Sequence, residues 1–192
     1  MALFRHQLFL LAILLLTMLL QFQIVWDIES KLLNYSPFEV ASILFIPHGV
    51  KAIMVVLSGA KAIVPIFLAH LVTDLAIGLG ALGGVLSGGA AVASMMLPLV
   101  LINFITHKRM FAPLASEGAE NFSLFRLVIF TAVVSSLLNS IIGALRYGNS
   151  PVDLTAFKFF TGDVGGTLFV LALLIMLKKP LIKLAHAVGR MS

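Results

Sequence analysis

Long apolar runs alternate with short polar interruptions along the whole chain. The first run, residues 8–25, follows Arg5 and His6 and leads into Trp26, an amphipathic ring suited to a membrane–water interface. It is too long for the apolar region of a cleavable signal peptide, and no small-x-small site follows Gln21-Phe22-Gln23, so an uncleaved first span is expected. Residues 27–38, with Asp27, Glu29, Lys31 and Pro37, read as a first loop carrying a short surface helix. Further runs at 40–57, 62–77, 85–105, 124–145 and 154–177 each approach the roughly 20 residues that a spanning helix needs. Between them lie the turn Gly59-Ala60-Lys61, the glycine-rich stretch 78–89, the polar segment His107 to Asn121 and the loop Arg146 to Asp153. In the tail, 178–192, Leu181, Leu184 and Ala185 stand at helical spacing against Lys179, Lys183 and Arg190, as in a basic amphipathic segment lying along lipid headgroups. The pattern predicts an all-α, polytopic transmembrane helical bundle of about six spans, one domain over residues 1–192.

Composition narrows the function classes. Of 192 residues, 60% are hydrophobic and 11% charged, and mean hydropathy is +1.11. Ordinary soluble domains have roughly 45–50% apolar and about 25% charged residues. A soluble globular domain and a disordered chain are both excluded, and no room remains for a separate catalytic or nucleic-acid-binding domain. The net charge of +5 and pI of about 9.8 therefore do not point to nucleic acid. The basic residues instead mark topology. Arg5, Lys61, Lys108, Arg109, Lys178, Lys179, Lys183 and Arg190 fall on one side of a six-span plan, against Lys31 and Arg146 on the other, with Arg126 and Lys158 near span ends. The positive-inside rule then places both chain ends in the cytoplasm. The absence of cysteine excludes disulfides, thiolate metal sites and cysteine nucleophiles.

With the topological charges set aside, the ionisable residues inside the apolar runs stand out. They are His48 and Lys51 in the second span, His70 and Asp74 in the third, and Asp163 in the sixth. Charge at bilayer depth is costly and marks functional candidates. The spacings of three and four place each of the first two pairs on one helix face. Asp74 and Asp163 are the candidate counter-ions of Lys51, in an ion pair that either fixes helix register or lines a polar cavity for a small ligand. Pro47-His48-Gly49 predicts a kink or break in the second span, and irregular backbone at that depth is tolerated only when buried in protein or lining a cavity. His70-x-x-x-Asp74 has ligand spacing, but no second motif accompanies it, so no metal site and no cofactor are expected. No nucleophile elbow or phosphate loop is present, and the glycines at 78–89 lack the Lys-Ser/Thr of a phosphate-binding loop, so no enzymatic activity is expected. The glycines at 80, 84 and 88 form a small-residue face, for packing within the chain or for a homodimer.

Two stretches resemble a known family. Leu44-Phe45-Ile46-Pro47-His48-Gly49-Val50, followed by Leu57-Ser58-Gly59-Ala60-Lys61-Ala62-Ile63-Val64-Pro65-Ile66-Phe67-Leu68-Ala69, is similar to the "W-x-P-x-G … G-x-R-x-x-P-x-I-F-L" signature of the membrane-associated sensor domain of the first type (the MASE family). Phe159-Phe160-Thr161-Gly162-Asp163-Val164-Gly165-Gly166 resembles its late "W-W-x-G-D-x-x-G" motif. Phenylalanine stands where the family often has tryptophan, and the family's domain usually has about eight spans. The resemblance implies a bacterial inner-membrane sensory module and places Pro47, Gly49, Gly59, Pro65, Gly162, Asp163 and Gly166 at motif positions; it does not carry over His48 or His70. The family's domain usually precedes an output module, so signalling here is expected to run through a cytoplasmic or membrane partner. The alternative is a small-solute transport component similar to the S-components of energy-coupling factor transporters, although the first span, nearly all Leu, Ile and Phe, lacks their Ala-x-x-x-Ala docking surface. A third reading is an assembly factor in which Asp163 only packs helices.

Overall fold

The computed structural model describes residues 2–33, 42–107, 109–114, 124–147 and 152–189, with side chains of 146–147, 152–154 and 179–189 outside the description. Among these residues the structure is helical with no strand. Helix α1 (Ala2–Leu20) runs through a π-helical turn, Gln21–Val25, into α2 (Trp26–Leu33). Then come α3 (Ile46–Ser58), a 3-10 turn Gly59–Ala62, α4 (Ile63–Ala76), α5 (Gly80–Ile105), α6 (Leu124–Tyr147) and α7 (Val152–Gly189). Of the loop expected at 27–38, residues 27–33 are helical; its remainder, most of the segment expected at 107–121, the middle of the loop expected at 146–153 and the side chains of the basic tail lie outside the described residues.

Five helical stretches are long and apolar enough to cross a membrane: Leu3–Leu33, Ile46–Ala76, Gly80–Ile105, Leu124–Leu145 and Thr155–Lys178. Large apolar side chains such as Phe4, Phe9, Leu82, Phe104, Leu145 and Met176 project from them, exposed. Water would penalise so much open apolar surface, whereas lipid solvates it.

The second stretch is not a rod. Nζ of Lys51 lies 3.1 Å from Nε2 of His70. Nineteen residues of straight helix would hold them about 28 Å apart. The chain folds back at Gly59, whose φ of +56° is a conformation that side chains rarely adopt. A Cβ there would also meet the Phe111 carbonyl oxygen at 2.6 Å. That carbonyl accepts from Ala60 N–H at 3.1 Å, and Asn103 ties the same loop to α5 through the carbonyls of Met110 and Ala112. So α3 and α4 form a hairpin of 13- and 14-residue helices, each about 20 Å long.

Neighbouring contacts fix the directions of the rest. His6 meets Ser58 and Gln21 meets Ile46, so α1 and α3 are antiparallel. On α5, Gly84 packs on Leu71 and Gly88 on Phe67, which sets α5 antiparallel to α4. Asn139 faces Asp163 and Gly143 faces Phe159, setting α6 against α7. Gly162 and Gly166 lie against Ser42 and Phe45, so α7 runs with α3. Helices α1, α3, α4, α5, α6 and α7 thus alternate in direction, and α1 begins at the end of the bundle where α7 finishes.

The core is built from fully buried Leu14, Val55, Val56, Ile66, Met95 and Leu99. Close packing, not escape from water, is what such contacts supply between lipid-solvated helices. Two glycines of the 80-84-88 face, Gly84 and Gly88, are thereby occupied inside the chain, while a Cβ on Gly80 would meet nothing within 4 Å.

Candidate functional site

The expected break at Pro47-His48-Gly49 falls earlier. Pro47 occupies the first turn of α3, where its missing N–H costs nothing, and the irregular backbone is Ser42 to Phe45. Every amide from Ile43 to Ile46 has a partner. The Glu29 carboxylate accepts from Ile43 N–H at 3.3 Å, from Leu44 N–H at 2.8 Å and from Ser42 Oγ at 2.7 Å. Phe45 N–H donates to the Gly162 carbonyl at 2.9 Å, and Ile46 N–H donates to Gln21 Oε1 at 3.0 Å. Gln21 sits in the π-helical turn and is fully buried; such turns often mark functional positions. This lead-in segment crosses α7 over Gly162 and Gly166, where a Cβ would come within 2.0 Å of the Ser42 and Phe45 carbonyl oxygens. Gly49, one turn into α3, touches α7 the same way at Thr167. The glycines at motif positions are therefore where backbone meets backbone.

This seating delivers His48 and Lys51 into the bundle. His48 is fully buried and its Nδ1 lies 3.0 Å from Oδ2 of Asp163, both side chains 1% exposed. The contact is close but not aligned as a hydrogen bond. Asn139 Nδ2 donates to the same carboxylate oxygen at 2.7 Å. On the other side of the ring, Ser135 and Ser136 donate their hydroxyl protons to the Thr131 and Ala132 carbonyls at 2.7 and 2.6 Å. Both hydroxyl oxygens therefore accept from Nε2–H of His48, at 2.9 and 3.2 Å. The order Ser–His–Asp is that of a hydrolase triad, yet the serine proton is held by a helix carbonyl and the serine does not line the cavity described next.

Lys51, 2% exposed, donates to His70 Nε2 and lies 5.5 Å from the centre of the Phe45 ring, within cation–π range. Asp74 accepts from Ser87 across the α4–α5 contact. Lys51 makes no direct ion-pair contact with Asp74 or Asp163, although Asp163 is the carboxylate whose charge acts on it; the direct contact of Asp163 is with His48, because α7 runs beside α3 at the level of His48. One cavity of about 100 Å³ is lined by Lys51, His70, Asp74, Ser87, Asn139 and Asp163 among others, and not by His48, Ser135 or Ser136. Its rim includes Ile77 and Leu79, both exposed, at the α4–α5 turn. That end of the bundle is opposite the one where α1 begins.

Of the residues singled out from sequence, Lys51, His70, Asp74 and Asp163 line the cavity directly and His48 orients Asp163 from behind. Pro47 and Pro65 stand in the first turns of α3 and α4, both buried. Sequence reasoning missed Gln21, Glu29, Ser42, Ser87, Ser135, Ser136 and Asn139. Glu29 was placed in a surface loop. Its burial carried no signal, because one carboxylate beside Asp27 and Lys31 looks like any polar loop residue. Gln21 was legible only as a polar residue at the end of an apolar run.

No protein-family model, no curated protein and no solved structure matches the chain.

Proposed function

We propose that the protein is a six-span membrane module, both ends cytoplasmic, that binds a small polar ligand in the intramembrane cavity and conveys its occupancy to a partner protein. The observation that carries this reading is the convergence of Lys51, His70, Asp74 and Asp163, from three helices, on one cavity. A cluster serving only to fix helix register would close on itself, because unpaired buried charge is costly. The break at Ser42–Phe45 fits the same reading. Its amides from Ile43 to Ile46 are matched, and it brings Phe45 and Ser42 to the cavity wall.

The orientation follows from the distribution of basic residues on the alternating helices. Arg5, Lys61, Arg109, Arg126 and Lys178 belong to the end where α1 begins and α7 finishes, against Lys31 and Lys158 at the other. The positive-inside rule makes the first end cytoplasmic, and the cavity rim then faces outward. The sensory role and the bacterial inner membrane are inferred from the resemblance of the 44–69 and 159–166 motifs to the membrane-associated sensor family.

The test is a thermal-stability screen of the detergent-purified protein against small polar solutes. At least one solute is expected to raise the midpoint of the wild type and leave Lys51→Met unmoved. A library that moves neither protein would overturn the reading. Accumulation of the bound solute inside proteoliposomes would shift it from sensing to transport.

A further inference from the structure

The Lys51 ammonium has hydrogen-bonding capacity left over. It carries three donors, and among the described residues its one hydrogen bond goes to His70. No described carboxylate makes an ion pair with it. The two acids of the cavity are only partly engaged or engaged elsewhere: Asp163 with His48 and Asn139, Asp74 through Oδ2 with Ser87. The cavity thus presents cationic donors at Lys51 and a carboxylate with a free oxygen at Asp74, from different helices, and Phe22, Phe45 and Phe159 also line it. A ligand with one charge would satisfy one side and leave the other buried without a partner. The volume of about 100 Å³ has room for several waters, the scale of a small solute.

Resting on the ligand-binding role proposed above, we infer that the ligand is a small free zwitterion of the α-amino-acid type, its carboxylate received by Lys51 and its ammonium by Asp74. An uncharged donor nearby, the second N–H of the Asn139 amide, completes the acid end. The volume of about 100 Å³ favours a small side chain, as on glycine or alanine.

The experiment is calorimetric titration of the full chain in nanodiscs of phosphatidylglycerol, which supplies no zwitterionic headgroup. The probes are glycine, L-alanine, acetate, methylammonium and L-tryptophan. Glycine or L-alanine is expected to bind, at least about tenfold tighter than acetate, methylammonium or L-tryptophan, since one charged contact is worth about a factor of ten or more. Asp74→Asn and Lys51→Met are each expected to weaken that binding by about tenfold or more, and unchanged helicity by circular dichroism shows that the variants are folded. Acetate binding as well as glycine, with Asp74→Asn silent, would overturn the inference in favour of a simple anion site. A second arm adds phosphatidylethanolamine. Unchanged titration supports a free solute, and competition would overturn it in favour of a lipid headgroup. If none of the probes binds while the solute screen still finds a Lys51-dependent ligand, the zwitterion inference fails and the ligand-binding role stands. If the screen is also empty, both fail.

Discussion

Lys51 and His70 meet Nζ to Nε2 at 3.1 Å across the Gly59 turn, and that contact couples the fold to the site. It exists only because the apolar stretch Ile46–Ala76 turns back on itself. It also leaves the ammonium facing a cavity rather than locked against a carboxylate.

Replacing Lys51 by Met keeps most of the volume and removes a buried charge. Stability is expected to hold or rise, because an apolar group of similar size at a buried ionic position is often neutral or stabilising by about 1–4 kcal/mol. Ligand response is expected to vanish. Lys51→Ala, by contrast, leaves a void and is expected to lower the midpoint. Thermal unfolding in detergent, with and without ligand, checks both.

Asp163→Asn is expected to be the more damaging change. It removes the carboxylate that touches His48 and weakens the acceptor of Asn139, in a site 1% exposed. Breaking a buried pair by removing one partner costs about 3–5 kcal/mol. A double-mutant cycle with His48→Asn is expected to show a coupling of about 1–3 kcal/mol. Additive single effects would mean that the two side chains are stabilised independently.

Much of this arrangement was legible in the sequence. The apolar runs located the helices, and the ionisable residues inside them located Lys51, His70, Asp74 and Asp163. What pattern could not supply was pairing. Lys51 and Asp163 have opposite charges, yet the parallel run of α7 beside α3 gives Asp163 to His48. Serines were silent for a different reason: Ser87, Ser135 and Ser136 bond to their own helix carbonyls, so they sit in apolar helices without disturbing the periodicity. Pro47 reads in sequence as an interruption of a span, whereas it starts a helix after an irregular segment. That segment is held by Gln21 and Glu29, more than a dozen residues away along the chain.

The glycines offer a sharp contrast. A methyl group on Gly166 would come 2.0 Å from the Phe45 carbonyl oxygen, backbone against backbone with nothing flexible to yield. Gly166→Ala is expected to unseat the lead-in segment and lower the midpoint severely. Gly89 faces open space inside α5. Gly89→Ala is expected to stabilise by up to about 1 kcal/mol through helix propensity alone.

Glu29→Gln tests the latch from the other side. The amide loses the charge that draws Ser42, Ile43 and Leu44 together. The expected cost is about 1–3 kcal/mol. Hydrogen exchange is expected to quicken at Ile43 and Leu44 and to stay unchanged at Val55 in the core.

The most direct test of the ligand-binding cavity is native mass spectrometry of wild-type protein and Lys51→Met, purified side by side from the same membranes. The expected result is a small non-covalent adduct on the wild type that is absent from the variant. An identical adduct on both proteins, or none on the wild type even with added small solutes, would contradict it.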